Sequence, residues 1–365
     1  MGKSTHFSGQ PLYSQIINLL DKNKILQISK QHAGERCIKS FNCWSHLVVM
    51  LYAVIMRFDS LREISTSMLA EARKLSHLGL AAMPRRSTPS DANIRRPEVI
   101  FEEIYRYLYA TYRTRLCSDS RSNKEPIWMK RLQIIDSTTI TSFSNIIFKG
   151  AGRHPKIGKK KGGIKVHTVI HANEGIPPNM KFTSAATNDS FMLRPGRLSK
   201  GDIVAMDRAY IDYGKFEELT LRGVIYVTKV RKNLRYEVLD DIMYQTPEGC
   251  MEVRIQHVVF TKSLEDGQTI KHNARLITYV DVKKRKLITL LTNDMEFDPN
   301  EVIAIYRKRW EIELLFKQMK QNFPLKYFYG ESANAIKIQI CVYITPIVPH
   351  FSIEKYTTYQ SLERM

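Results

Sequence analysis

Two short apolar runs, each closed by an aspartate, constrain this chain most. LQIIDSTTI is rich in β-branched residues and carries Asp136 directly after Leu132–Ile135, and GDIVAMDRAY carries Asp207 directly after Ile203–Met206. Runs of this length and composition sit at the centre of a sheet, and an acid just behind them marks where the strand leaves the core. Two such carboxylates converge if their strands are neighbours. The plain alternative is that each aspartate opens a turn, for which its side chain is well suited.

The stretches around these runs change character along the chain. Residues 1–125 read as a helical N-terminal domain. PLYSQIINLL and CWSHLVVMLYAVIMRF are apolar at helical spacing or over helical length. In STPSDANIRRPEVIFEEIYRYLYATYR the N-cap types Ser87, Thr88, Ser90 and Asp91 precede Ile100, Ile104, Leu108 and Tyr112 at four-residue spacing. Arg85, Arg86, Arg95 and Arg96 lie on its connections, where they suit phosphate contact or a solvated basic loop equally. Strands dominate residues 126–223. GIKVHTVIHA alternates, with Ile164, Val166, Thr168 and Ile170 on one side and Lys165, His167, Val169 and His171 on the other. MKFTSAATND is a further candidate strand, and RAYIDYGKFEELTLRG reads as a helix closed by Gly223. Residues 224–296 read as β-rich, with VIYVTKV, EVRIQHVVF, NARLITYVDV and KLITLLT separated by turn-forming segments. Helical character returns over 297–337, and 338–365 forms an atypical tail with Pro346 and Pro349 against helical continuation. The predicted class is mixed α/β.

Charge narrows the partner. The 56 Lys and Arg against 36 Asp and Glu give a formal charge of +20, which favours a polyanion, nucleic acid before an anionic membrane surface. RHPKIGKKKGGIK, with Lys159, Lys160 and Lys161, is a Gly-containing basic loop whose like charges favour DNA backbone contact over simple solvation. The five cysteines are odd in number and lack paired spacing, which predicts buried free thiols in a reducing compartment and no zinc site. The polar stretch Met1–Gln10 predicts no secretory signal, and the apolar stretches Leu47–Met56 and Ile338–Phe351 are shorter than the ~20 residues of a membrane helix. A soluble cytoplasmic protein is expected.

YRKRWEIELLFKQMKQ (306–321) reads as a basic amphipathic helix with one unusual face. At about 100° per residue, Arg309, Glu313 and Lys320 lie about 60°, 20° and 40° from Tyr306, and Glu311 about 140° away. One acid, two bases and a phenol on one arc can serve a metal, a phosphate and a leaving group, although a helix this rich in charge can produce such an array by chance. With Asp136 and Asp207, Glu313 completes three oxygen ligands. Mg²⁺ takes few carboxylates together with waters and substrate phosphate oxygens, and two such ions stabilise the attacking and leaving oxygens of an in-line displacement at phosphorus.

These residues resemble the DDE transposases of bacterial insertion sequences, in particular the insertion-sequence-four family. Tyr306, Arg309, Glu313 and Lys320 match that family's Y, R, E, K signature at every step, IIDST resembles the setting of its first acid, and DRAYIDY that of its second. The resemblance covers most of the chain to about Lys337. It implies a ribonuclease-H-like catalytic core with a β-rich insertion between the second and third acids. It implies that Asp136, Asp207 and Glu313 hold two Mg²⁺ ions, for which Mn²⁺ can substitute, and cut and join DNA through a hairpin intermediate. Tyr306, Arg309 and Lys320 would grip phosphates, Arg208 would touch phosphate, and Trp310 would stack near the distorted strand or anchor the helix. The partners implied are double-stranded DNA, as transposon ends and target, and a second copy in a homodimer on DNA, in a bacterial, nucleoid-associated setting. His167 is expected to be structural and Asp212 to orient a neighbour. The family's apolar C-terminal continuation is not matched, which would weaken assembly. A structure-selective nuclease on the same fold and a non-catalytic DNA-binding copy are the rival readings.

Overall fold

The computed structural model describes residues 12–70, 80, 84–116, 126–141, 152–153, 162–231, 234–245, 252–263, 269–281, 285–322, 328–330 and 332–346. Strands β1 (Leu132–Thr141), β2 (Gly152–Arg153), β3 (Gly162–His171), β4 (Met180–Ser184), β5 (Ile203–Met206) and β6 (Ile225–Lys229) set the frame. The described strands form one sheet. β4, β3, β1, β5 and β6 lie side by side in that order, with β3 antiparallel to β1 and β4, and β5 and β6 parallel to β1. Three antiparallel strands followed by two parallel to the first is the ribonuclease-H-like arrangement. All four β5 residues are buried, as expected of a parallel strand covered on both faces.

The β-rich segment extends this sheet. β7 (Glu237–Gln245), β8 (Glu252–Ser263), β9 (Thr269–Asp281) and β10 (Lys286–Thr292) continue it in the order β6-β10-β9-β8-β7, entirely by antiparallel pairing. A buried chain of polar groups fastens this extension to the core. Tyr226 Oη on β6 lies 2.6 Å from His272 Nε2 on β9, whose Nδ1 lies 2.7 Å from Glu217. Glu217 belongs to the helix Tyr213–Leu221, which ends in Gly223 at φ +67°, a left-handed position that glycine accepts without a Cβ clash.

Helices cover both faces. On one face pack α1 (Leu12–Asn18), α2 (Lys22–Gln31), α3 (Cys43–Ile55), α4 (Leu61–Ala70), α5 (Ser87–Arg95) and α6 (Val99–Leu116), sharing one core with Leu132, Ile134, Ile203 and Ala205 of the sheet. The Tyr213–Leu221 helix, α7, covers the other face over Ile135, Val204 and Met206. Helices α8 (Pro299–Lys308), α9 (Trp310–Asn322) and α10 (Ala333–Ile344) return to the first face. α10 is apolar and packs on α3, α5 and α6, where Asn334 Nδ2 donates to the carbonyls of Asn93 (2.8 Å) and Arg96 (2.7 Å).

Two expectations for the helical part need correction. Arg96 is neither a phosphate contact nor a solvated loop residue. It is buried, with Nε donating to the Gly34 carbonyl (3.3 Å) and Nη2 to the Phe41 carbonyl. Pro97 forces Arg96 into extended backbone (φ −75°, ψ 129°), which separates α5 from α6 and turns the side chain inward. Cys37 is exposed, although Cys43 and Cys341 are buried free thiols as expected. Cys117, Cys250, Pro349 and the basic Lys159–Lys161 lie outside the described residues.

Arg96→Ala should lower the unfolding free energy by about 2–4 kcal/mol, because it strands two carbonyls and leaves a cavity. Arg95→Ala, one residue away and exposed, should change it by less than about 0.5 kcal/mol. Urea denaturation of the full chain distinguishes the two.

Candidate active site

The parallel register of β1 and β5 brings the first two acids together. Ile135 pairs with Met206, so Asp136 and Asp207 occupy the next positions along two adjacent strands, whose axes lie about 4.8 Å apart. Asp136 stays within β1, opposite Thr168 of β3. Asp207 leaves β5 at φ −77°, ψ 159°, and its carbonyl accepts the Tyr210 amide at 3.0 Å. Its backbone therefore does open a turn, yet its carboxylate makes no capping bond there. Arg208 follows on the surface, and Asp212 caps α7 by accepting the Gly214 amide at 3.1 Å.

The third acid arrives on helices with a break. The expected continuous helix over 306–321 is interrupted at Arg309. There the amide bonds back three residues to the Tyr306 carbonyl (3.2 Å), a tighter turn than the α-helix, so a single helical wheel does not describe the segment. The break accompanies an inward guanidinium. Arg309 is 5% exposed, with Nη1 3.4 Å from Asp136 Oδ2 and Nη2 2.7 Å from Glu313 Oε1. Its guanidinium carbon lies 5.3 Å from the Tyr306 ring centre, and Tyr306 is also buried. Tyr306, Arg309 and Glu313 therefore meet, although on two helices. Glu311 points outward and pairs with Lys308 at 2.7 Å. Trp310 is 43% exposed, so the buried-anchor alternative does not hold. The Lys320 backbone lies in α9, and its side chain is outside the described part.

Electrostatics mark the site. Burial pushes the Asp136 carboxyl up to about 6; the Ser137 amide and Arg309 pull it down, and Asp207 and Glu313 push it further up. Burial opposes the charge on Arg309, and Tyr306, Glu313 and Asp136 together hold it above its ordinary value. Three carboxylates against one guanidinium leave net negative charge in a part-buried cleft, and their oxygens suit a hard divalent cation. Among the described residues no three His, Cys, Asp or Glu side chains are gathered closely enough to hold an ion as they stand. Arg309 lies between two of the acids and pairs with both.

Two features near the site were not singled out in the sequence. Asp189 accepts the Ser137 hydroxyl at 2.6 Å and lies 3.2 Å from Lys165 Nζ. His167, read as structural, is buried, holds Thr183 Oγ1 at 2.7 Å and stacks edge-on to Phe191. Towards the start of β1, a cavity of about 550 Å³ is lined by Gln133, His171, Lys181, Arg194 and Arg197 among others. Among the described residues none of these last three cations has a carboxylate within ion-pair distance. Composition flagged excess charge; only the fold gathers these three.

The family described as Transposase DDE domain matches residues 127–345, and a domain of unknown function, DUF4372, matches residues 8–81. The chain belongs to the DDE transposase domain family, whose members are phosphoryl-transfer enzymes acting on DNA. It is similar to a Sinorhizobium fredii protein described as transposase y4zB (28% identity, covering 69% of this chain and 66% of that one). It is also similar to a Synechocystis protein described as a transposase for insertion sequence element IS4SA (26%, covering 70% and 67%) and to the transposase for IS231C of Bacillus thuringiensis (22%, covering 62% and 57%). The matches span about two thirds or less of these relatives. A piggyBac transposase in a synaptic complex with hairpin DNA aligns over 95% of this chain and 78% of its own at 11% identity and TM-score 0.39, too loosely to place any residue. No helix among the described residues is long and apolar enough to cross a membrane.

The raised Asp136 carboxyl has a sign. Its folded value of about 6 exceeds the ordinary 3.8, so its favourable contribution is complete below about pH 4 and is lost as pH rises through 6. In chelator, Asp136→Asn should therefore melt higher than wild type at pH 8, by roughly 1–3 kcal/mol in stability, and the gap should close by about pH 4. Scanning calorimetry across that range checks it; an Asn variant less stable at pH 8 contradicts it.

Proposed function

We propose that this chain is an insertion-sequence DNA transposase that cuts and joins DNA by metal-dependent phosphoryl transfer. The observation that supports it best is the meeting of Asp136, on one core strand, and Asp207, just beyond its neighbour, with Glu313 across the Arg309 guanidinium. Asp136, Asp207 and Glu313 would hold Mg²⁺, or Mn²⁺ in its place. When bound, such ions polarise phosphoryl oxygens and ready water or a 3′-hydroxyl for in-line attack. The chain's own part is placement. The sheet fixes the two aspartates, and α9 brings Glu313 to them. Arg309, released from the acids, would pair with a DNA phosphate, a match its planar fork favours. Tyr306 backs that guanidinium. Exposed Trp310 can stack on an unpaired base, and exposed Arg208 can meet backbone phosphate.

The finer steps belong to the same reading: nicking, attack of the freed hydroxyl on the opposite strand to form a hairpin, reopening, and strand transfer by a homodimer on DNA. Lys159–Lys161, Lys320 and the cations of the cavity would add backbone contacts. A structure-selective nuclease would share the cleft and produce only cuts.

Asp136→Ala, Asp207→Ala or Glu313→Ala should abolish Mg²⁺-dependent cleavage and strand transfer on DNA bearing the inverted repeats that flank the gene, while binding persists. Glu311→Ala should stay active. Dependence on Glu311 in place of Glu313 would refute the assignment, and cuts without joined products would favour the nuclease. Replacing Lys181, Arg194 and Arg197 together with Ala should weaken DNA binding and reduce the log–log salt slope by roughly 2–3. An unchanged slope removes that cavity from the interface.

A further inference from the structure

We infer that Asp189 is a positioning residue for the catalytic aspartates, holding them from the back of the sheet; this rests on the transposase reading above. Side chains alternate along β1. Asp136 follows Ile134 towards the face that carries α8 and α9, and Ser137 follows Ile135 towards the opposite face. Asp189 sits on that opposite face. Its carboxylate accepts the Ser137 hydroxyl at 2.6 Å, and the Ser137 amide donates to Asp136 Oδ1 at 2.8 Å. One residue thus links the two carboxylates, through its side chain behind the strand and its backbone in front.

The anchor behind Ser137 is fixed in its turn. Lys165 Nζ, on β3, lies 3.2 Å from Asp189 and donates to the Thr187 carbonyl at 2.7 Å, which ties the 187–189 loop to the sheet. His167, directly across from Ser137 in the β1–β3 ladder, keeps its Nδ1 3.6 Å from Asp189. The short turn Asp189–Met192 packs against β1 and against the turn Arg208–Tyr210 that begins at Asp207. The Tyr210 hydroxyl is buried on this side, next to Ser137 and close to Asp136, Asp189 and Asp207. Asp189 therefore stands behind both aspartates at once. Nothing in its geometry makes it a ligand of the same ion. Its effect passes through Ser137 and the turn, as partners behind a ligand fix that ligand's direction and typically change metal affinity or activity about 10–100-fold when removed.

The test compares Asp189→Ala, Asp189→Asn and Ser137→Ala with wild type, using full-length protein and two readouts. One is Mn²⁺ affinity by titration calorimetry. The other is cleavage rate at saturating end DNA against Mn²⁺ concentration, with DNA affinity and circular dichroism recorded alongside. Asp189→Ala should weaken Mn²⁺ binding and raise the Mn²⁺ needed for half-maximal cleavage about 10-fold or more, with DNA affinity unchanged. Asp189→Asn keeps an acceptor for Ser137 and should recover most of the loss. The double variant Ser137→Ala/Asp189→Ala should be no worse than the poorer single, because both break one linkage. Wild-type Mn²⁺ dependence in both Asp189→Ala and Ser137→Ala, or independent multiplication of their losses, overturns the inference. A wild-type protein that binds Mn²⁺ but never cuts refutes the transposase reading and leaves the Mn²⁺ affinities to decide Asp189. A wild-type protein that binds no Mn²⁺ overturns both.

Discussion

Parallel pairing of β1 with β5 is the constraint on which the site depends. The pairing is held by two cores at once: Leu132, Ile134, Ile203 and Ala205 belong to the core under the N-terminal helices, while Ile135, Val204 and Met206 belong to the core under α7. Because side chains alternate with period two, a slip of β1 by one residue would send Leu132, Ile134 and Ile135 into the wrong cores and carry Asp136 to the wrong face. The register that buries the apolar side chains is therefore the one that sets Asp136 beside Asp207. Hydrophobic burial positions the two acids without any direct bond between them.

Arg309 solves the difficulty this creates. Carboxylates brought together in a part-buried cleft repel one another and lose hydration, which the raised Asp136 carboxyl records. A guanidinium shared between Asp136 and Glu313 supplies positive charge where a divalent cation would otherwise be needed. Its hold is incomplete, since Nε is buried with no hydrogen-bond partner among the described residues. A group paired in this manner can exchange carboxylate partners for phosphate at small net loss, because both are planar or tripodal arrays of anionic oxygens that the same fork recognises. The same side chain thus stabilises the empty cleft by pairing with both acids.

Much of this was legible in the residues. The apolar runs before Asp136 and Asp207, the alternation of β3, the stop at Gly223 and the outward direction of Glu311 each follow from local periodicity or turn chemistry, and the structure keeps them. The misses have a common cause. Arg96 resembles its exposed neighbour Arg95 in sequence, and only the connection between α2 and α3, through Gly34 and Phe41, supplies the carbonyls that draw it inside. The break at Arg309 is likewise tertiary, because the helical wheel knows nothing of an acid on a distant strand. Asp189 stood in a stretch read only as a strand candidate, and its meaning depends on Ser137, Lys165 and Tyr210 arriving from three other segments.

The centre of β1 shows why these tertiary effects gather at one place. A strand with a core on each face favours apolar side chains throughout, yet LQIIDSTTI turns polar midway, at Asp136, Ser137, Thr138 and Thr139. Such a change costs stability unless each polar group finds a partner. Here the partners come from both sides: Arg309 for Asp136 on one face, Asp189 for Ser137 on the other. A strand interrupted in this way is poor for stability alone and good for holding a carboxylate rigidly at a cleft. The local departure from the apolar pattern, compensated from two faces, sets this stretch apart in a sheet otherwise built by burial.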